Sequence, residues 1–181
     1  MQKLILIAGP SGAGKTTISE YLANTFAIPR VLTHTTRPMR PGESLKESYH
    51  FESDASFKKL HFFEHVKYGS YQYGSSKEAL DQAWQDHDLV SLIVDIKGAQ
   101  SYLAKLEKQV YFLYVTASSK KMLAERLIKR GDDPNKIKES LTGSELNVLP
   151  PALQKYAHIL VNDDWNQTKR QLDNIVKELS K

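Results

Sequence analysis

The residues best suited to chemistry lie near the amino terminus, in a glycine-rich segment. Residues 9–16 fit the pattern G-x-x-x-x-G-K-[ST] without a mismatch; they are Gly9, Pro10, Ser11, Gly12, Ala13, Gly14, Lys15 and Thr16. Such a loop directs backbone N–H groups at phosphate oxygens, while the lysine neutralises charge on the transferred group and the threonine can bind Mg²⁺. A glycine turn that merely caps a helix would explain neither the lysine nor the apolar run before it. The segment therefore predicts a nucleoside triphosphate site.

The elements around this loop are the ones that the motif requires. An apolar run at 4–8 predicts a buried strand, and apolar residues at helical spacing follow over 16–26. Strand, glycine loop and helix in that order open a parallel α/β fold. Later segments continue the alternation; they are strands at 89–94, 110–115 and 159–161, a helix at 117–130 with Gly131 as its stop, and a helix at 165–179.

The middle of the chain, from about 31 to 75, has a different character. Its short apolar runs are broken by prolines, which predicts an inserted subdomain with its own small sheet. Arg37 and Arg40 stand three apart in a proline-stiffened stretch, so two guanidiniums are pre-ordered around one multiply charged anion. A phosphate ester is the predicted guest, and the insertion therefore predicts the acceptor site.

A hairpin farther along the insertion predicts which base is bound. Gly69 and Ser70 read as a two-residue turn, which places Glu64 opposite Ser75 and Tyr73 on the same face as both. A carboxylate accepts hydrogen bonds from the adjacent N1–H and amino group of guanine, whereas adenine presents a bare ring nitrogen at that edge. The hairpin therefore favours guanine.

Each of these side chains also has a simpler interpretation. Glu64 can be a solvated charge on an edge strand, Ser75 can cap the next helix through a box with Glu78, and the tyrosines can be packing residues. Arg126 and Arg130, at i,i+4 spacing, can bind one anion or form an ordinary charged helix face. The phosphate loop shifts the balance toward nucleotide binding, because it gives all these groups a common ligand.

Composition narrows the class of protein. The chain has 181 residues, a formal net charge of +4 and no cysteine, which excludes disulfides, thiolate nucleophiles and cysteine-based metal centres. The charge is too small to indicate nucleic-acid binding, and no aromatic array suited to base stacking is present. No apolar run is long enough to span a membrane. We expect a cytoplasmic protein with small-molecule substrates and neither a nucleic-acid nor a membrane partner.

The sequence resembles the guanylate kinase family of P-loop nucleoside monophosphate kinases. The resemblance covers the chain and rests on the phosphate loop, residues 35–43, 49–51 and 73–75, Asp95 with Gly98-Ala99, and residues 161–164. It implies an α/β fold with three parts; these are a parallel CORE sheet flanked by helices (1–31, 87–125 and 149–181), an inserted mixed-sheet GMP-binding subdomain (32–86) and a helical lid (126–148). It also implies the reaction ATP + GMP = ADP + GDP, with Mg²⁺ carried by ATP, in a monomer or homodimer.

The same resemblance implies roles for individual residues. Lys15, Arg126 and Arg130 would surround the transferring phosphoryl group. Residues 9–17, which include Thr17, and Asn162 would bind ATP, with Thr16 as the Mg²⁺ ligand. The implied GMP-binding residues are Arg37, Arg40, Tyr49 and Tyr73 at the phosphate, Thr33, Glu64 and Ser75 at guanine, and Asp95 on the acceptor side.

Two departures from the family pattern bear on activity. Ile93 stands two residues before Asp95, where the family usually has an acidic residue, and Ser140 falls near the position of a phosphate-binding lid arginine. Two alternatives therefore stay open beside an active guanylate kinase. One is a catalytically weakened guanylate kinase-like nucleotide-binding module, and the other is a P-loop kinase for another small phosphorylated acceptor.

Overall fold

The computed structural model describes residues 2–40, 43–44, 48–142 and 148–181. The strands are β1 (Lys3–Ala8), β2 (His34–Thr35), β3 (His50–Phe51), β4 (Phe62–Tyr68), β5 (Tyr71–Ser76), β6 (Leu89–Ile93), β7 (Val110–Thr116) and β8 (Ala157–Val161). The α-helices are α1 (Lys15–Phe26), α2 (Asp54–Phe57), α3 (Lys77–Asp86), α4 (Ile96–Leu106), α5 (Lys120–Arg130), α6 (Pro134–Thr142), α7 (Pro151–Gln154) and α8 (Trp165–Leu179). None of the helices in these ranges has the length and apolar character needed to cross a lipid bilayer.

The larger sheet is parallel, with the strand order β6-β1-β7-β8. Strand β1 lies inside it and is buried on both faces, because its side chains alternate between two apolar layers. Leu4 and Leu6 pack on one face with residues of α3 and α4, whereas Ile5 and Ile7 pack on the other with residues of α1, α5 and α8. The predicted parallel sheet flanked by helices is therefore confirmed.

The smaller sheet, with the order β3-β2-β5-β4, is mixed: β2 pairs parallel to β3 and antiparallel to β5. The predicted hairpin register is confirmed, since Glu64 lies opposite Ser75 and Val66 opposite Tyr73. The proposed capping role of Ser75 is wrong. Helix α3 is capped one residue later by Ser76, whose Oγ accepts a hydrogen bond from the Ala79 N–H at 3.1 Å.

The predicted helix ends agree with the structure to within one residue, except at the start of α5. This helix begins at Lys120 rather than at 117, because the Ser119 side chain accepts a hydrogen bond from the Met122 N–H and caps it there. At its other end Gly131 adopts a left-handed conformation with φ of 86°, as predicted for a C-terminal stop. The last helix, α8, has the predicted bounds and is capped by Asp164.

Candidate active site

The phosphate loop joins β1 to α1, and two of its glycines are required by their surroundings. A Cβ atom on Gly9 would lie 1.9 Å from the carbonyl oxygen of Val115, and one on Gly14 would lie 2.4 Å from Asn162 Nδ2. Both glycines have positive φ values, 142° and 96°. No side chain caps α1, so the N–H groups of its first turn are open to an anion.

Lys15 is held inside this loop. Its Nζ donates hydrogen bonds to the carbonyl oxygens of Gly9 at 2.8 Å and Pro10 at 2.9 Å. Burial, and secondarily the charge of Arg130, lower the pKa of Lys15 to about 8. Because carbonyl groups leave the ammonium charge uncompensated, a bound anion would stabilise it.

Two cavities meet at this lysine. The first, of about 660 Å³, lies between the two sheets and α6, and the second, of about 560 Å³, lies between the phosphate loop, α5 and the start of α8. Ser11 and Lys15 line both cavities. Two ligands, one in each cavity, would therefore approach each other at the Lys15 ammonium group.

The second cavity is positively charged and polar. Its lining includes Thr16, Thr17, Arg126, Arg130, Asn162 and Trp165. The Arg126 guanidinium is held by the backbone, because its Nη2 donates to the Asn162 carbonyl oxygen at 2.6 Å. The Arg130 guanidinium pairs with a carboxylate, because its Nε donates to Asp132 Oδ1 at 2.6 Å. Most of the predicted ATP-side residues therefore line one cavity, whereas Gly9 lines the first cavity, and Pro10 and Ala13 line neither.

Asn162 lines the same cavity and holds the phosphate loop by direct contact. Its Nδ2 donates to the Ala13 carbonyl oxygen at 2.8 Å, while its Oδ1 accepts from the Thr168 hydroxyl at 2.9 Å. Trp165 lines the same cavity but was not predicted as a site residue. The available signal in the sequence was a tryptophan directly after the polar run 162–164, at the predicted start of the last helix.

The first cavity has an acidic end, where two carboxylates lie close enough to interact. Glu64 and Asp95 both line it, and the Asp95 carboxylate caps α4 by accepting from the Gly98 N–H at 2.8 Å. The Glu64 carboxylate packs directly on Gly98, where a Cβ atom would lie 2.3 Å from Oε2. Burial, and then the charge of Asp95, raise the pKa of Glu64 to about 7. This end of the cavity is suited to a ligand with hydrogen-bond donors.

The other predicted acceptor-side residues divide into two groups. Thr33, Tyr49 and Tyr73 line the first cavity. Ser75, Arg37 and Arg40 are not part of its lining. The Ser75 side chain is 1% exposed and lies behind the cavity wall, next in the strand to Gly74, which does line the cavity.

Arg37 lies one aromatic ring away from the cavity. Its guanidinium carbon is 5.6 Å from the ring centre of Tyr49. It donates to both carboxylate oxygens of Glu43, at 2.9 and 2.7 Å, and to the Pro38 carbonyl oxygen at 2.6 Å. Glu43 also accepts from the backbone N–H of Arg40 at 2.8 Å. Glu43 therefore holds the segment that carries Arg37 and Arg40, a role that was not predicted from the sequence.

Helix α6 contributes an unexpected side chain to the first cavity. Glu139 and Ser140 line it, opposite the phosphate loop. None of the described α6 side chains that line this cavity is cationic. No local pattern identified Glu139, because which face of α6 meets the cavity depends on the packing of distant elements.

A buried histidine behind the first cavity was also missed. His34, on β2, is 5% exposed, and its ring nitrogens lie 2.9 Å from Glu52 Oε1 and 2.7 Å from Ser76 Oγ. The ring stacks on His50 with centroids 4.7 Å apart. His34 therefore links β2 to the end of β3 and to the N-terminal cap of α3. Its position directly after Thr33 was the only signal in the sequence.

Comparison with known proteins agrees with this geometry. The family model described as guanylate kinase matches residues 1–179. The chain is 30% identical to a guanylate kinase of Blochmanniella pennsylvanica, covering 96% of this chain and 85% of the relative, and 33% identical to one of Colwellia psychrerythraea, covering 96% and 83%.

A solved structure shows the same fold at lower sequence identity. The crystal structure of guanylate kinase from Anaplasma phagocytophilum superimposes with a TM-score of 0.64 at 20% identity, covering 98% of this chain and 85% of that one. The family match extends over nearly every residue and therefore includes all the residues that line the two cavities described above. The chain belongs to the guanylate kinase family.

Proposed function

We propose that this chain transfers the γ-phosphoryl group of ATP to the phosphate of GMP, forming ADP and GDP. The observation that carries the proposal is the meeting of two cavities at Lys15 and Ser11. A phosphoryl donor and a phosphorylated acceptor in these cavities would bring their phosphates to the same ammonium group. Such an arrangement supplies the proximity that a direct in-line transfer needs.

ATP binds in the second cavity. The loop of residues 9–17 surrounds its phosphates with backbone N–H groups, and Lys15 leaves its two carbonyl partners to contact the transferred group. Arg126 and Arg130 line the same space and neutralise charge as it spreads over the phosphoryl oxygens. Asn162 holds the loop in this conformation through its hydrogen bond to the Ala13 carbonyl oxygen.

GMP binds in the first cavity, with its base against the acidic end. An ionised Glu64 accepts hydrogen bonds from N1–H and the 2-amino group, with Thr33 and Asp95 beside the base and Ser75 behind it. Adenine offers a ring nitrogen in place of N1–H and is repelled by the carboxylate. The base edge and the site are therefore complementary in hydrogen bonding.

The GMP phosphate lies toward Tyr49 and Tyr73. Arg37 stands behind Tyr49, and its guanidinium also lies next to the Tyr73 hydroxyl, so it faces the side of the cavity where the phosphate is placed. Arg40 reaches the same phosphate from the exposed side of the segment. Closure of the insertion over the nucleotide completes these contacts.

The residues present fit Mg²⁺ carried by ATP. The Thr16 side chain is exposed and lines the ATP cavity, so its hydroxyl can serve as one ligand while phosphate oxygens supply others. When bound, the ion neutralises charge on the triphosphate. Ile93 stands where the family usually has an acidic residue and supplies no carboxylate near the metal. The acidic residue nearest to it in the sequence is Asp95.

The three-part division into CORE, GMP-binding subdomain 32–86 and lid 126–148 stays a prediction, and residues 143–147 lie outside the described part of the chain. The same is true of a cytoplasmic location and a monomeric or homodimeric state. Two activities compete with the proposal: nucleotide binding without turnover, and transfer to another small phosphorylated acceptor. Both are less well supported, because the phosphate loop and the Glu64 cavity occur together and open onto the same lysine.

A coupled ADP-release assay tests the proposal, with ATP and Mg²⁺ and with GMP, dGMP, AMP, CMP and UMP offered in parallel. We expect GMP-dependent turnover that Lys15→Ala abolishes, because the alanine cannot neutralise the transferred group. Lys121→Ala is the matched control, since that lysine is highly exposed on α5 and should keep full activity. Turnover with another acceptor, or calorimetric GMP binding without turnover, would contradict the proposal in favour of one of the two competing activities.

A further inference from the structure

Two buried hydroxyl groups behind the first cavity lack hydrogen-bond partners. Tyr102, on α4, is 0% exposed, and neither its Oη nor the Oγ of Ser75 makes a hydrogen bond within the described residues. Buried polar atoms are nearly always hydrogen-bonded, because leaving one unpaired destabilises the folded state. A phenylalanine would fill the position of Tyr102 without that penalty. The phenolic hydroxyl therefore calls for a role outside folding.

The hydroxyl of Tyr102 is directed at the Glu64–Ser75 pair. Glu64 packs on Gly98, and Tyr102 is one turn farther along the same face of α4. Helical side chains lean toward the N-terminus of their helix, which carries the phenol back toward Gly98. Its ring is fixed there by stacking on Phe63, with centroids 4.2 Å apart.

Electrostatics agrees with this placement. Burial and then the Glu64 carboxylate raise the pKa of Tyr102, whereas the neighbouring Ser75 hydroxyl lowers it. The phenol is therefore a neutral O–H donor at any pH at which the protein works. Ser75 and Glu64 are cross-strand partners, so the three groups form one cluster, which we call the base-edge cluster (Glu64, Ser75 and Tyr102).

The base-edge cluster contains one carboxylate acceptor beside two hydroxyls that need acceptors. A purine edge with an N1–H, a 2-amino group and a 6-carbonyl satisfies all of them. The carboxylate accepts from the two nitrogens, and the carbonyl accepts from a hydroxyl. Ser75 is the hydroxyl nearer the cavity, since it adjoins the lining residue Gly74 and lies opposite Glu64.

We propose that Tyr102 is a positioning residue for base selection. When the insertion closes over a bound base, the Tyr102 hydroxyl donates to Ser75 Oγ and thereby directs the single Ser75 proton at the 6-position of that base. This inference rests on the proposed function. A 6-carbonyl accepts that proton, whereas a 6-amino group leaves it without an acceptor. Tyr102 thus adds discrimination against adenine that Glu64 does not provide, because Glu64 reads only the 1- and 2-positions.

The test is Tyr102→Phe, which keeps the ring stacking and removes only the hydroxyl. KM and kcat are measured with GMP and with IMP, which retains the 6-carbonyl and N1–H and lacks the 2-amino group. The monophosphate of 2-aminopurine ribonucleoside, which lacks both the 6-oxygen and N1–H, is measured as a competitor of GMP. We expect KM for GMP and IMP to rise by the same factor, about two- to tenfold, as for the loss of one neutral hydrogen bond. The inhibition constant of the 2-aminopurine nucleotide, kcat and KM for ATP should not change, and the melting temperature should stay equal or rise.

Two further variants separate this role from a structural one. Tyr21→Phe removes a hydroxyl that donates to Asp173 at 2.7 Å on the distant α1–α8 side, and it should lower stability while leaving KM for GMP unchanged. In a Ser75→Ala background, Tyr102→Phe should have no further effect on KM, because its action passes through Ser75.

An unchanged KM for GMP in Tyr102→Phe would overturn the inference while leaving the proposed function intact, and so would an effect that adds fully to that of Ser75→Ala. If the wild-type chain shows no GMP-dependent ADP formation, the proposed function fails instead. Calorimetric affinities for GMP and IMP then decide the inference, with weaker binding to Tyr102→Phe supporting it and equal binding refuting it.

Discussion

Protonation of Glu64 should make GMP use depend on pH. Burial and the Asp95 charge raise the pKa of this carboxyl from its ordinary value of 4.5 to about 7, which corresponds to ~3 kcal/mol against the ionised form in the empty site. Only the ionised carboxylate can accept from both N1–H and the 2-amino group of guanine. The apparent affinity for GMP should therefore scale with the ionised fraction.

The size of the effect follows from that pKa. With a pKa of about 7, roughly one molecule in ten carries an ionised Glu64 at pH 6 and roughly nine in ten at pH 8. We expect kcat/KM for GMP to rise about tenfold over this interval at saturating ATP. The sign for folding is opposite: because the folded-state pKa is raised, the contribution of Glu64 to stability is fully present below about pH 4.5 and is lost as the pH rises through about 7.

The assay measures kcat/KM for GMP from pH 5.5 to 8.5 in the wild type, Glu64→Gln and Asp95→Asn. Glutamine does not titrate, so its profile reports the remaining groups, including the GMP phosphate, which ionises near pH 6. We expect Glu64→Gln to lose about tenfold or more at pH 8 and to show a flatter profile. Asp95→Asn should move the midpoint to lower pH, because it removes the neighbouring negative charge. Identical profile shapes in the wild type and Glu64→Gln would refute the assignment of the titration to Glu64.

Two other substitutions follow from the same structure. His34→Ala should lower the free energy of unfolding by about 2–4 kcal/mol in urea titrations, since it leaves a cavity and removes the partner of Glu52 and Ser76. The control is His61→Ala, at an exposed position, which should change the free energy of unfolding by less than about 0.5 kcal/mol. Equal effects of the two substitutions would contradict the role of the buried network. Ser140→Arg should raise kcat by about tenfold or more with little effect on KM for ATP. The reason is that it adds a guanidinium to the lining of the first cavity, where none of the described α6 side chains is cationic. An unchanged kcat would show that charge neutralisation at this position does not limit the rate.

The sequence by itself determined the features that are encoded locally. The phosphate loop and its flanking strand and helix follow from a contiguous motif and from apolar periodicity. The register that places Glu64 opposite Ser75 follows from a two-residue turn and the alternation of strand side chains. These predictions succeed because each depends on residues close together in the chain.

Other features of the site were decided only by tertiary structure. The contact of Glu64 with Gly98 and the direction of Tyr102 depend on how α4 packs against β4, and the sequence shows no pattern that joins them. The same holds for Glu139, which reaches the first cavity only because of where α6 lies. Local motifs identified the groups proposed to bind phosphate and base. Packing between distant elements set the burial of Glu64, its raised pKa and the unpaired hydroxyls of Ser75 and Tyr102. The physical reason is that the desolvation of a side chain depends on all the elements packed around it.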